Sequence, residues 1–390
     1  MAALKDKIKA LAEKHFPRVI ELRRHIHANP ELSWQETETS KLVATELMKY
    51  GIEVQTRVAK NGVVGILKGK NPDSKCIALR ADMDALPIQE ENEIDYCSKN
   101  PGVMHACGHD VHTSNLLGVA KILSELKSEI EGTYKFIFQP SEEKIPSGAE
   151  AMIEAGVLQN PKPDKIFGLH VSPEFEAGLF GFCSGQFMAS SDEVYLRVIG
   201  KGGHAARVEE LKNPLLIAAE ILLELKIITN PQIPVVLSFG KIEGKGATNV
   251  VPDVVEIAGT LRCFDENLRF QLHKQITLIC ENIAGNYLSA CEVNILKGYP
   301  VLINNEATTR EAKKLSQDFV GVKNVMDIPS RMGSEDFAYY THHVPACFYR
   351  LGVGNKKLGI ISGIHTPTFN IDESALKESI GLMSYLAANA

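Results

Sequence analysis

At 390 residues the chain exceeds the size at which one hydrophobic core usually keeps growing, so two domains are expected. A hydrophobic fraction of 44% with 23% charged residues excludes a disordered or collagen-like chain, and a net charge of -6 argues against a protein built to grip nucleic acid. The 8 cysteines contain no CxxC pair and are too dilute for a disulfide scaffold, which fits a reducing, cytoplasmic compartment.

Residues 1–24 are helical in pattern but charged throughout, so they lack the apolar core of a signal peptide, and no apolar run reaches membrane length. His25 and His27, near the end of that helix, read as surface or capping residues. Short runs rich in Val, Ile and Phe then alternate with amphipathic stretches. Strands are expected at 63–67, 76–81, 134–139 and 165–170, and helices at 112–128 and 147–158, the alternation of an α/β layer with a mostly parallel sheet.

The middle of the chain alternates polar and apolar residues at 193–200, 235–243 and 255–263, which suits a sheet with one wet face. Helices at 214–228 and 266–288 can cover its other face, giving a compact α+β domain inserted into the first. After Gly298-Tyr299-Pro300 the pattern returns to helix, a core strand at 347–351 and a closing helix at 373–388, where His342 and His343 read as surface residues. The resulting division is 1–185 and 300–390 for the α/β domain and 186–299 for the insert.

In open α/β sheets ligands bind beyond the carboxyl ends of the strands. Asp82 and Asp84 follow the run 76–81, Glu142 and Glu143 follow 134–139, and His170 ends 165–169, so three strands deliver acids and an imidazole to one edge. A vicinal glutamate pair is ordinarily a solvated face. At a strand end it becomes suitable for hydrolysis, with one carboxylate to bind a metal and another to move protons. The segment Met104-His105-Ala106-Cys107-Gly108-His109-Asp110-Val111-His112 offers thiol, imidazole and carboxylate just before a helix, and Gly108 lets Cys107 and His109 point the same way. His105 and His112 read either as support for the ligands or as substrate-facing groups.

These segments, with Leu79-Arg80-Ala81-Asp82-Met83-Asp84-Ala85-Leu86-Pro87, Gln139-Pro140-Ser141-Glu142-Glu143, Gly200-Lys201-Gly202-Gly203-His204-Ala205-Ala206, Gly333-Ser334-Glu335-Asp336-Phe337 and His365-Thr366-Pro367, resemble the M20 family of metallopeptidases. The similarity is to its amidohydrolase branch, which contains hippurate hydrolases, N-acetyl-diaminopimelate deacetylases and auxin-conjugate hydrolases. The resemblance implies a two-domain α/β enzyme with a di-metal catalytic domain and an inserted lid and dimerisation domain. It implies that Cys107, His109, Glu143, His170 and His365 hold two divalent ions per subunit, zinc or manganese first, with nickel or cobalt also compatible. It makes Glu142 the general base, Asp82 the acid behind the site, and His204 a histidine reaching into the partner subunit's site. Asn249 and Arg262 match residues that hold the substrate carboxylate.

The implied activity is hydrolysis of N-acyl amino acids by a cytoplasmic homodimer. The alternatives are a dipeptidase or carboxypeptidase with the same site, and a non-catalytic binding protein for acylated amino acids. The sequence departs from the branch at Val208-Glu209, where a Pro-His pair is usual, and at Ser141, where Ala is usual. A carboxylate at 209, if it faces the active site, would repel anionic substrates and favour cationic or neutral ones.

Overall fold

The computed structural model describes residues 2–228 and 232–390, so Met1 of the expected first helix lies outside the described residues. The chain divides into two compact units, one of residues 1–185, 303–329 and 336–390, the other of residues 186–302 and 330–335.

The first unit opens with helices α1 (Ala2–Ala28) and α2 (Thr37–Lys49), then strands β1 (Glu53–Val58), β2 (Gly62–Lys68) and β3 (Cys76–Asp82). Helix α3 (His109–Glu125), strand β4 (Thr133–Gln139), helix α4 (Gly148–Glu154), β5 (Lys165–Glu176) and β6 (Phe180–Phe182) follow. The second unit is built from β7 (Asp192–Ile199), α5 (Pro214–Leu225), β8 (Val235–Gly244), β9 (Val254–Cys263), α6 (Glu266–Asn286) and β10 (Ala290–Lys297). The chain then returns to the first unit with α7 (Glu306–Val320), β11 (Val325–Asp327), β12 (Ala346–Gly354) and α8 (Ala375–Asn389).

The apolar runs form the middle of an eight-stranded sheet of order β1-β2-β4-β3-β5-β12-β6-β11. Pairs β4/β3, β3/β5 and β5/β12 are parallel, while β1/β2, β2/β4 and β12/β6 are antiparallel additions toward the edges. Every residue of β3, β4 and β12 is buried, which is why these strands read as mostly apolar runs rather than alternating ones. Strand β5 continues past His170 to Glu176, so His170 lies inside a strand and not at its end. Its pairing with β3 stops at Gly168, however, so His170 still stands clear beyond the last paired residue of its neighbour.

Helix α3 is buried nearly all round between α1 and α8. Gly118 permits that approach, because a Cβ there would meet Val19 Cγ2 at 2.7 Å and Ile380 Cγ2 at 2.8 Å. In the second unit the antiparallel sheet β8-β9-β7-β10 buries alternate residues Val194, Leu196 and Val198 of β7. They pack with Ile217 and Ile221 of α5 and Leu272 and Ile276 of α6, as the alternation predicts. Both helices start at side-chain caps, Asn213 accepting from Leu215 N at 3.0 Å and Asp265 from Leu268 N at 2.7 Å, each worth about 1 kcal/mol. Among the described residues no helix is long and apolar enough to cross a membrane.

Candidate metal centre

All five donor residues expected from the sequence lie in the first unit. Cys107, Gly108 and His109 form the entry to α3. Gly108 is needed there, since its φ is 87° and a Cβ on it would sit 2.5 Å from Val171 Cγ2. Strand β4 runs into Pro140 and then Ser141, whose φ of 50° is a left-handed conformation costing an L-residue roughly 1–2 kcal/mol. Beyond that turn Glu142 Oε2 and Glu143 Oε1 lie 4.0 and 3.9 Å from His109 Nε2. His365 is also left-handed, with a φ of 61°, and its amide donates to Ala106 O at 2.7 Å, which seats it beside the Cys107 segment.

The donor atoms converge. Cys107 Sγ is 3.3 Å from His170 Nε2 and 3.2 Å from His365 Nε2, and Glu143 Oε1 is 3.3 Å from His365 Nε2. Two donor sets therefore share one thiol, Cys107 with His109 and His170, and Cys107 with Glu143 and His365, each with its atoms within 4.8 Å of one another. Cys107, His109 and His170 are buried, whereas the His365 side chain is 50% exposed, so the centre opens to solvent on that side.

The inward nitrogens are presented because the outward ones are held. His109 Nδ1 meets Asp84 O at 2.9 Å and Asp84 Oδ1 at 3.2 Å, and His170 Nδ1 donates to Val171 O at 2.7 Å. This is the support that ligating imidazoles need. Among the described residues His109 Nε2 is buried without a hydrogen-bond partner, a condition that costs about 1–3 kcal/mol unless something engages the nitrogen. A thiol, three imidazoles and a carboxylate around that nitrogen fit a pair of borderline divalent ions.

Electrostatics point the same way. Burial opposes ionisation of Asp82, but His109, His112 and Arg80 outweigh it and hold the carboxyl well below the usual range. Burial likewise opposes protonation of His109, yet Asp82 and Asp84 lift it to about 10. Burial together with Glu143 and Glu142 pushes the Cys107 thiol up. The acidic groups surrounding these donors thus favour positive charge at the centre.

The supporting residues differ in part from the expectation. Asp82 accepts from His112 Nδ1 (2.6 Å) and Arg80 Nη1 (2.7 Å) and lies 3.7 Å from His109 Nε2, while it is Asp84 that backs His109 Nδ1. Asp84 also accepts the amides of Glu142 and Glu143, each at 3.0 Å. His112 is a supporting group and not substrate-facing, because its Nε2 accepts from Val171 N at 3.0 Å while Nδ1 engages Asp82. His105 is buried, and its ring nitrogens find no hydrogen-bond partner among the described residues.

His27 corrects the surface reading. It is fully buried, with Nδ1 2.8 Å from Asp110 Oδ2 and Nε2 3.1 Å from Glu90 Oε1, and Arg23 Nε donates to the same Asp110 oxygen at 2.8 Å. Helix α1 thereby braces the residue next to His109. His25, His342 and His343 are exposed, as expected. Asp336, within the Gly333-Ser334-Glu335-Asp336-Phe337 segment, accepts from Arg80 Nη2 (2.6 Å), Gln139 Nε2 (2.7 Å) and Ser147 Oγ (2.7 Å), and its amide lies 3.4 Å from Glu142 Oε1.

The remaining expected site residues lie in the second unit. His204 is exposed and pairs across a short ladder with Val250, and Ala205 N donates to Asn249 O at 3.0 Å, so His204 and Asn249 are neighbours. Arg262 is half-buried and donates to Met332 O at 3.2 Å and Ser334 Oγ at 3.1 Å. Val208 and Glu209 form an exposed single turn.

Comparison with known proteins gives concordant matches. The sequence matches the peptidase family M20/M25/M40 over residues 78–389. It is 42% identical over 304 residues to an N-acyl-L-amino acid amidohydrolase of Geobacillus stearothermophilus, covering 77% of this chain and 81% of that protein. It is 40% identical over 366 residues to thermostable carboxypeptidase 2 of Saccharolobus solfataricus, covering 92% of each. A crystal structure from Bacillus subtilis, described as a dinuclear metal-binding peptidase of the M20 family, superposes with a TM-score of 0.83 at 32% identity, over 96% of this chain and 98% of that one.

Proposed function

Because this chain belongs to peptidase family M20/M25/M40, we propose that it is a di-metal amidohydrolase cleaving the amide bond of N-acylated amino acids. The observation that carries the reading is the placement of Glu142 beside five convergent donors, of which Cys107 belongs to both sets. In this reading Cys107, His109, Glu143, His170 and His365 hold two divalent ions, zinc or manganese first and nickel or cobalt next. Such ions, when bound, supply Lewis acidity toward the scissile carbonyl and lower the pKa of a water.

Glu142 is free of a ligand's duty in this scheme. Its carboxylate takes the proton from the attacking water and returns it to the departing amine, which keeps the leaving group neutral. Asp84 fixes the Glu142 and Glu143 amides and His109, so the base and two ligands move as one piece. His204 supplies an imidazole to the developing oxyanion, and Asn249 and Arg262 hold the substrate carboxylate, roles that rest on their match to the family motifs. The inserted unit also serves homodimerisation, through which His204 reaches the partner subunit's site, in a cytoplasmic enzyme.

The similarity to a carboxypeptidase keeps a second reading in play, hydrolysis of a C-terminal peptide bond by the same centre. A panel of N-acetyl, N-benzoyl and N-succinyl amino acids against dipeptides and N-blocked peptides, with added zinc or manganese, separates the two. The expected result is kcat/KM at least about tenfold higher for the best N-acyl amino acid than for any peptide, and the reverse order overturns the amidohydrolase reading.

Glu209 makes a further prediction within that panel. A carboxylate in place of an imidazole favours neutral and cationic amino acid side chains over Asp and Glu, and Glu209→His should narrow that preference by roughly tenfold, about 1.4 kcal/mol. An unchanged ratio of kcat/KM between lysine and glutamate derivatives would remove Glu209 from specificity.

A further inference from the structure

The turn carrying Glu142 rests on a buried carboxylate that the ligand set does not use. Glu36 precedes α2 and is fully buried, yet its side chain does not cap that helix. Glu31 does so instead, accepting the amides of Thr37 and Glu38 at 3.1 and 3.0 Å and of Thr39 at 2.8 Å. Glu36 is thereby released for other partners. Its Oε1 accepts from Ser141 N at 2.8 Å and from Trp34 N at 2.9 Å, and its Oε2 from Asn61 Nδ2 at 2.9 Å.

Ser141 is the left-handed residue that turns the chain from β4 into Glu142, and a conformation of that kind persists only when its surroundings over-determine it. Three consecutive amides, those of Ser141, Glu142 and Glu143, end on two buried carboxylates, Glu36 for the first and Asp84 for the other two. On the far side the Ser141 carbonyl accepts from Gly148 N at 2.8 Å. A Cβ at Gly148 would lie 1.6 Å from Pro140 O, so the turn also packs directly against the start of α4. Burial raises the pKa of Glu36, which means a carboxyl is kept in this place against its own solvation.

We propose that Glu36 is a positioning residue for Glu142, holding the Ser141 amide so that the left-handed turn aims the general base at the metal centre. The inference rests on the reading of Glu142 as the base. What the role requires is an acceptor oxygen at the Ser141 amide, not a negative charge. Gln keeps an acceptor at that distance, and its amide NH2 can face Asn61 once the Asn61 amide reverses. Asp keeps the charge but is one methylene too short.

The test compares Glu36→Gln, Glu36→Asp and Glu36→Ala with the parent in the metal-loaded enzyme, using the N-acyl amino acid turned over fastest in the panel above. Expected are a kcat within about threefold of the parent for Glu36→Gln, and a fall of about 10- to 100-fold for Glu36→Asp and Glu36→Ala. KM and metal content should stay within about twofold in every variant. A folded Glu36→Ala with parental kcat overturns the proposal, as does Glu36→Asp retaining more activity than Glu36→Gln. The order of Asp and Gln decides the matter even if the Ala variant fails to fold. Glu142→Gln is measured alongside: if it is inactive while Glu36→Ala is normal, the positioning role alone fails, and if it is active the base reading fails and takes this inference with it.

Discussion

Glu142→Gln is expected to lower kcat about 1000-fold while leaving the fold and bound metal intact. Positioned general bases contribute about 10²–10⁴ in rate, and here the base is also the acid that protonates the leaving amine, so the upper half of that range applies. The substitution is nearly isosteric, and the backbone that carries it is fixed by Asp84 at 3.0 Å and by the Ser141 turn, so the chain should not move. Glu142 Oε2 lies 4.0 Å from His109 Nε2 and could join His109 and Glu143 as a donor, but both Cys107 sets are complete without it, which is why metal content should not change. Single-turnover kinetics with metal analysis on the same sample check this. A variant within tenfold of the parent would remove Glu142 from proton transfer, and one that loses its metal would make it a ligand.

Cys107→Ala should be the most damaging substitution among the donors. Its sulfur lies 3.3 Å from one imidazole nitrogen and 3.2 Å from another, and it is common to both donor sets, so a single deletion removes a donor from each. Loss of a supporting group outside the donor set already costs 10–100-fold in metal affinity, so loss of a shared donor should weaken both sites by at least about 100-fold. His365→Ala removes a donor from only one set and should leave one ion held more tightly. Competition with a chromogenic chelator reads both outcomes. If Cys107→Ala keeps one tight site, the thiol does not serve two ions.

The fold was largely legible because burial writes it into composition. Strands buried on both faces, such as β3 and β4, are mostly apolar without alternation, and β7 of the inserted unit carries strict alternation because only one of its faces meets helices. The donors were legible for a related reason. The sheet's carboxyl edge collects what ends or follows a buried strand: Asp82 ends β3, Asp84 follows it, and Glu142 and Glu143 follow β4.

What escaped was everything that depends on which side chain meets which across the fold. His27 sits near a helix end, where a surface or capping role is usual, and its partners Asp110 and Glu90, 83 and 63 residues away, make it a buried brace. Glu36 and Ser141 are 105 residues apart, and Arg80 and Asp336 are 256 apart, so no local pattern could pair them. Which of Asp82 and Asp84 holds His109 Nδ1 is a matter of a few ångströms at a strand end. Period and composition do not resolve that distance, although two acids spaced by one residue were a signal that both had partners.

The centre itself is most directly tested by anomalous diffraction at the metal edge from crystals grown with zinc or manganese. Two peaks are predicted among Cys107, His109, Glu143, His170 and His365. Peaks placed elsewhere, or a single peak that leaves His365 or His170 without a metal, would contradict the account.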